Sequence, residues 1–506
     1  MIKYLLAHDL GTSGNKATLY TTDGVLVKSI VYSYDTSYFN NNWAEQDSND
    51  WWKAVCSTTR EILEGIDRTA VAAVSFSGQM MGCLCVDREG RPLRKSIIWA
   101  DQRSVREMND IRDRIGDQRF YRITGHRISV SYTLQKLLWI KNNEPEVYEN
   151  TYKVLNSKDY ILYKLTGRFV TDYSDGTGTN MVDLNTLKWS DEIISTMGID
   201  GDKLPELRES TYVVGGVTAE AAGETGLAEG TPVVCGGGDG VCAAVGAGCV
   251  KEGIAYNVVG SSSWISLATE KPIYDERMRT FNWAHIVPGY VAPCGTMQAA
   301  GVSYNWLKNQ ICTSEAAEAK ERGISPYEII NQEIEKSPAG AKGLLFLPYL
   351  LGERSPRWNP NARGAFIGLT IEHKREDILR SVLEGITLNL NVILDVFKQH
   401  SDIKEIIAIG GGARGKVWRQ IMADVYGVRI LKPNHLEEAT SMGAAVTGGV
   451  GAGIFKDFNV IDRFIKIEDI QEPMEKNSKK YRQLMPIFED SYSSLVNVYE
   501  RLAELK

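Results

Sequence analysis

The chain has 506 residues, 43% hydrophobic and 24% charged, which excludes a mostly disordered chain, a coiled coil or a collagen-like fibre. Its 57 Lys and Arg against 64 Asp and Glu leave a net charge of −7, a poor match to a nucleic-acid backbone. The length fits two large α/β domains or three smaller ones.

Tyr4 to His8 is a short apolar strand, Gly11-Thr12-Ser13-Gly14 a turn, and Ala17 to Tyr20 the start of a second strand. Thr22-Asp23-Gly24 signals a hairpin into a third strand, Val25 to Tyr34. Helical stretches over 50–64 and 104–115 alternate with strands at 71–76 and 83–86, which argues for an α/β architecture. A second strand, polar turn and strand follow at Ile254 to Val259, Gly260-Ser261-Ser262-Ser263 and Trp264 to Ala268. Ile378, Val382, Ile386, Leu390, Ile393, Leu394 and Phe397 keep helical spacing in an amphipathic helix over 375–400. Ile406 to Ile409 is a buried-type strand running into Gly410-Gly411-Gly412. The repeated hairpin suggests two related domains, 1–246 and 247–506. A terminal helix over 477–506 would turn Tyr481, Leu484, Ile487, Tyr492, Leu495 and Leu502 inward.

The most apolar stretch, Leu344 to Leu351, is far too short to span a bilayer, and Met1 to Leu10 lacks the apolar core of an export signal. Eight cysteines without a Cys-x-x-Cys are expected to be small buried hydrophobes in a reducing cytoplasm, and no membrane or nucleic-acid partner is expected.

Five segments carry chemistry. Asp9 ends a strand before the Gly11 to Gly14 turn, whose amides and hydroxyls suit phosphate oxygens, while the acid can hold Mg²⁺; an ordinary capped hairpin would read the same. Asp239 follows three glycines at a helix start, where it either accepts a proton from a substrate hydroxyl or caps the helix. Ser261 and Ser262 form a second hydroxyl turn, and Gly411, Gly412 and Ala413 join a buried strand to a helix, where bare backbone could meet a nucleotide or simply pack tightly. Ser77-Gly78-Gln79-Met80-Met81-Gly82 stands with Trp99, Asp101 and Arg103. The last two could bind a polyhydroxylated ligand with Trp99 on its carbon face, or form a surface salt bridge.

In this order the segments resemble the FGGY carbohydrate kinases of the actin/hexokinase-like ATPase superfamily, and within them the xylulokinases are the most similar. Further matches are Trp43 to Asp47, Leu347 to Leu350, Gly352-Glu353-Arg354-Ser355-Pro356, and two signature segments, Ser131 to Ile140 and Gly364 to Glu384. The resemblance implies two ribonuclease-H-like domains with ATP and a small sugar in the cleft between them, and it allows a homodimer. It makes Asp239 the general base and places Asp9 and Asp239 at Mg²⁺. Gly11, Thr12, Ser13, Ser261 and Ser262 would serve the phosphates, Gly411, Gly412 and Ala413 the nucleoside, and Met80, Met81, Asp101 and Arg103 the sugar. Xylulokinases usually carry His where Met81 stands and Asn where Gly240 stands. D-xylulose is the first expectation, phosphorylated on a terminal hydroxyl. Ribulose, an erythritol-like polyol, or a non-catalytic nucleotide or sugar sensor stands beside it.

Overall fold

The computed structural model describes residues 3–505; Met1, Ile2 and Lys506, at the ends of expected segments, lie outside the described residues. The first half builds a sheet from β1 (Tyr4–Leu10), β2 (Gly14–Thr21), β3 (Leu26–Ser33), β4 (Val71–Gly78), β5 (Val213–Gly216), β6 (Pro232–Val234) and β7 (Gly237–Gly238). The second half builds another from β8 (Ala255–Val259), β9 (Ser263–Leu267), β10 (Phe281–Ala284), β11 (Val291–Met297), β12 (Glu405–Ile409), β13 (Arg429–Pro433) and β14 (Ile467–Gln471).

The strand order β3-β2-β1-β4-β6-β5 of the first sheet returns as β11-β9-β8-β12-β13-β14 in the second. Both series have the same directions: two antiparallel pairings, two parallel ones and a final antiparallel one. This is the expected α/β fold of two like domains. Position in the sheet explains the strand composition. Central β1 is apolar on both faces, whereas edge strand β3 alternates in exposure along its length.

Four helices matter for the site and its frame: α1 (Asp239–Gly246), α2 (Arg375–Lys398), α3 (Ala439–Gly451) and α4 (Glu475–Ala503). α1 and α3 cross between the halves almost without side chains. A methyl on Gly246 would lie 1.7 Å from the Ala439 carbonyl oxygen, and one on Gly443 would lie 1.9 Å from that of Cys242. α3, from the second half, lies on the first sheet, with Gly448 against Ser75 of β4. In return Ala243, Ala244 and Ala247 pack with Tyr256, Ile407 and Ile409 of the second sheet.

α2 is buried on nearly every side, not only along its apolar stripe, because the second sheet and the helices at Pro326–Glu335 and Lys416–Tyr426 pack around it and α4 adds side-chain contacts. There Tyr481 Oη donates to Glu384 Oε1 at 2.6 Å, and Arg380 pairs with the same oxygen. In α4 the inward row is Tyr481, Leu484, Phe488 and Tyr499, with Tyr492 and Leu495 partly buried. Ile487 and Leu502, expected inward, are exposed. The alternating three- and four-residue steps of the row pass through Phe488, one residue beyond Ile487, and Leu502 lies beyond the core. All eight cysteines are free and buried. No helix among the described residues is long and apolar enough to cross a membrane.

Candidate functional site

Three parallel strand ends bring the two acids together. The register sets Asp9 of β1 beside Ser77 of β4, and Ser77 beside Gly237 of β7. Asp239, two residues past Gly237, therefore emerges at the edge where Asp9 stands. Ser77 Oγ donates to Asp9 Oδ1 at 2.9 Å. Asp239 is the first residue of α1, and Gly238, not Asp239, holds the N-cap position. Asp239 Oδ1 accepts from the Gly240 amide at 2.7 Å, and Oδ2 has no hydrogen-bond partner among the described residues.

Burial raises the Asp9 carboxyl above its usual range, and the Ser77 hydroxyl and Lys16 oppose the shift. Asp239 is pushed up to about 7, first by burial and then by the neighbouring charge of Asp9. An acceptor of that strength, with a free oxygen, is matched to taking a proton from an alcohol near neutral pH.

Two tight turns stand at the corresponding edges of the two sheets. In each the leading glycine amide closes the turn, Gly11 onto the Gly14 carbonyl at 2.9 Å and Gly260 onto the Ser262 carbonyl at 3.0 Å. The amides of Thr12, Ser13, Ser261 and Ser262 make no hydrogen bond to other described residues. Thr12 Oγ1 accepts from the Trp99 indole at 2.9 Å and keeps its own proton to give. Free amides and hydroxyls of this kind suit phosphate oxygens. Trp99 is thus tied to the phosphate-type turn, although its ring also borders the cluster around Met80 and Met81.

The glycine run follows β12, whose Ile409 pairs with Val258 of β8, so it stands beside the second turn. Gly411 has open space where a side chain would stand, but a methyl on Gly412 would lie 2.4 Å from Val259 Cγ1. The Ala413 side chain is enclosed in the core, so only its backbone can face a ligand.

Met80 and Met81 pack with Tyr132 and Trp283 beside Asp239. A methyl on Gly238 would fall 2.5 Å from Met80 Sδ, so the glycine makes room for this side chain. Met81 adopts φ +66°, a strained conformation for a side-chain-bearing residue. Its carbonyl accepts from buried Lys136 Nζ at 2.7 Å. Tyr132 Oη and His126 Nε2 are buried without a partner among the described residues, and His126 stacks on Tyr132 with ring centroids 4.9 Å apart. Burial pushes His126 down to about 3, so it stays neutral. Sequence reasoning did not single out His126, Tyr132 or Trp283. Only the signature segment around Tyr132 gave a sign of them.

Asp101 and Arg103 need correcting as sugar ligands. They form a buried bidentate pair, neither a pocket wall nor a surface salt bridge. Arg103 Nε lies 2.9 Å from Asp101 Oδ1 and its terminal nitrogen 2.7 Å from Oδ2. The Arg103 and Ala44 amides fill the remaining acceptor sites at 2.9 and 2.6 Å. The guanidinium also pairs with Glu45 at 2.8 Å and lies 3.8 Å over the Trp43 ring. No lone pair of Asp101 is left for a sugar hydroxyl. The pair instead locks this loop to the Trp43–Gln46 strand.

Residues 4–246 match the N-terminal domain and residues 255–452 the C-terminal domain of the FGGY family of carbohydrate kinases. A xylulose kinase of Staphylococcus epidermidis is 35% identical over 494 residues, covering 96% of each chain. A gluconokinase of Bacillus licheniformis is 33% identical over 505 residues, covering 99% of this chain and 98% of its own. The crystal structure of a ligand-bound xylulose kinase from Lactobacillus acidophilus superposes with a TM-score of 0.92 at 28% identity, covering 99% of this chain and all of the other. Two duplicated sheets, with paired acids and phosphate-type turns at their edges, thus coincide with sequence matches along both halves: the chain belongs to the FGGY family of carbohydrate kinases.

Proposed function

We propose that this sugar kinase uses ATP to phosphorylate a terminal hydroxyl of a ketopentose, D-xylulose first, with Asp239 as the general base. The observation that carries the reading is Asp239 itself: one oxygen held by the Gly240 amide, the other free, and a carboxyl pushed up to about 7 beside Asp9. Asp239 Oδ2 would take the proton of the attacking hydroxyl as its oxygen bonds to the γ-phosphorus and the bond to the β-phosphate oxygen breaks. Thr12, Ser13, Ser261 and Ser262 would hold the phosphates through amides and hydroxyls, and Gly411 and Gly412 would line the nucleoside with backbone. Met80 and Met81 would wall the sugar.

The donor set fits Mg²⁺. No group of three or more His, Cys, Asp or Glu side chains converges among the described residues, and this ion is commonly held by one or two carboxylates together with substrate phosphates. Asp9 and Asp239 would supply those carboxylates. Bound there, the ion neutralises charge on the transferring phosphoryl group.

A second reading, a sugar acid such as gluconate, is favoured by one local observation besides the gluconokinase relative. A methyl on Gly240 would meet nothing within 4 Å, so the space beside the base is open where xylulokinases usually carry Asn. A coupled ADP-release assay over D-xylulose, D-ribulose, erythritol and D-gluconate decides between them. Turnover highest with D-xylulose supports the first reading, turnover highest with gluconate replaces it with the second, and no sugar-dependent turnover overturns both.

A further inference from the structure

Behind the strand ends that carry the two acids lies a group of buried charges the phosphoryl-transfer reading does not use. Lys158, Asp159, Asp172 and Asp175 are all buried. Lys158 Nζ lies 2.7 Å from Asp159 Oδ1, 3.0 Å from Asp172 Oδ1 and 3.3 Å from Asp175 Oδ2. Burial alone would push the lysine down, but Asp159 and Asp172 hold it well above its ordinary value. Burial drives the Asp175 carboxyl well up. Buried ion clusters are weak evidence for stability, so the connections of this one say more than its charges.

The connections run to the base. Asp172 Oδ2 accepts from Ser174 Oγ at 2.5 Å, from the Ser174 amide at 2.9 Å and from Ser210 Oγ at 2.7 Å. Facing the Lys158 ammonium, Asp172 offers only lone pairs, so the Ser174 proton points at it. The lone pairs of Ser174 Oγ are then free to accept, and the Gly238 amide donates to it at 3.0 Å. Gly238 is the N-cap of α1, and the next residue is Asp239. On its other side Gly238 is packed by Met80. Lys158 also touches the same strand ends, since a methyl on Gly78 would lie 2.9 Å from its Cβ.

We propose that Ser174, oriented by the Asp172–Lys158 pair, is a positioning residue of the phosphoryl-transfer reaction: by holding the Gly238 amide it fixes the Asp239 carboxylate at the strand edge. The proposal rests on Asp239 being the base. Its force comes from the sensitivity of proton and phosphoryl transfer to placement, where an error of about 1 Å can lower the rate by ~10²-fold.

The test compares Ser174→Ala, Ser174→Thr and Asp239→Asn in the full chain. Sugar-dependent kcat in Ser174→Ala should fall ~10- to 10²-fold with the KM for ATP unchanged, because the phosphate turns lie on other strand ends. Amide exchange of the peptide carrying Gly238 should accelerate while that of β1 does not. Ser174→Thr, which keeps the hydroxyl, should recover exchange protection and most of kcat. A wild-type kcat in folded Ser174→Ala overturns the proposal, and so does a lowered kcat with unaltered exchange at Gly238. Should Ser174→Ala fail to fold, Ser174→Thr carries the test, and a kcat as low as that of Asp239→Asn with protection at Gly238 intact overturns the proposal. Full turnover in Asp239→Asn removes the base assignment instead, while exchange at Gly238 still reports whether Ser174 holds that amide.

Discussion

Gly238→Ala tests the packing that sets the floor of the site. The backbone there (φ −64°, ψ 151°) accepts alanine without strain, so the penalty is steric alone. The new methyl would stand 2.5 Å from Met80 Sδ and 2.6 Å from its Cγ and Cε, more than 1 Å inside ordinary contact at ~3.5–4.0 Å. Three consecutive atoms of one side chain are struck, so turning its tip is no escape. Met80 is only 4% exposed, and a methyl on Gly178 would already be 3.4 Å from its Cε. Overpacking of this kind costs ~1–3 kcal/mol, and Met80→Ala alone costs ~2–5 kcal/mol as a cavity. In the double variant the alanine methyl enters the space Met80 leaves, so the combined loss should fall short of the sum by ~1–2 kcal/mol. For a unit of roughly 250 residues that is about 2–8 °C of Tm, readable by scanning fluorimetry on the two singles, the double and the parent. Loss of Tm that adds within the error of the scans would show that Met80 and Gly238 are not in the contact described. Activity should part from stability, with kcat/KM low in the double variant despite its recovered Tm, because the wall beside Asp239 is missing.

The rate should also depend on pH through Asp239. The carboxylate must be ionised to accept a proton, and without the ion its acidity lies at about 7, so the Asp239 carboxyl of the metal-free protein should titrate near that value by NMR and at a lower pH once Mg²⁺ is added; titration near pH 4 without metal would remove the cause assigned to the shift. Asp101→Asn breaks a buried ion pair and should cost ~3–5 kcal/mol of stability, seen as a lowered Tm, while the sugar KM at low temperature stays within about twofold. A raised sugar KM at unchanged Tm would return Asp101 to the pocket. Met81→His places an imidazole, a side chain better tolerated at positive φ, beside the sugar site. Pairing a desolvated hydroxyl recovers ~1–3 kcal/mol, so kcat/KM for D-xylulose should rise about fivefold to more than a hundredfold relative to that for D-gluconate. An unchanged ratio in a stable variant would make Met81 packing only.

The strand ends of this fold were legible because their chemistry is local. An acid at the end of an apolar strand and a Gly-hydroxyl turn are sequence neighbours, and they meet no competing use in the structure. Asp101 and Arg103 have equally suggestive side chains, yet what decides their role is the Ala44 amide and Glu45, more than fifty residues away in the chain. His126 and Tyr132 were missed for the same reason in reverse. Nothing around them marks a pocket until Trp283, from the other half, closes against them at ring-centroid distances of 4.4 and 6.2 Å. In α4 the apolar residues outnumber the inward positions, so which of Ile487 and Phe488 turns inward is decided only by the core that Phe488 enters.

The duplicated sheets divide the labour of the site unequally. Asp9, Ser77 and Asp239 share one sheet edge, so their spacing does not depend on how the two halves turn relative to each other. Ser261, Ser262 and Gly411 belong to the other sheet and travel with it. The helix bearing the base is held at both ends, by Ser174 at Gly238 and by the glycine crossing at Gly246, where an added methyl would meet a carbonyl oxygen at 1.7 Å. Tyr256 of the second sheet adds a hydrogen bond to the carbonyl of Gly240, the residue after the base, at 2.6 Å. Burial, to which both halves contribute, is the larger cause of the raised Asp239 carboxyl, while the charge of Asp9 that adds to it comes from the same sheet edge of the first half.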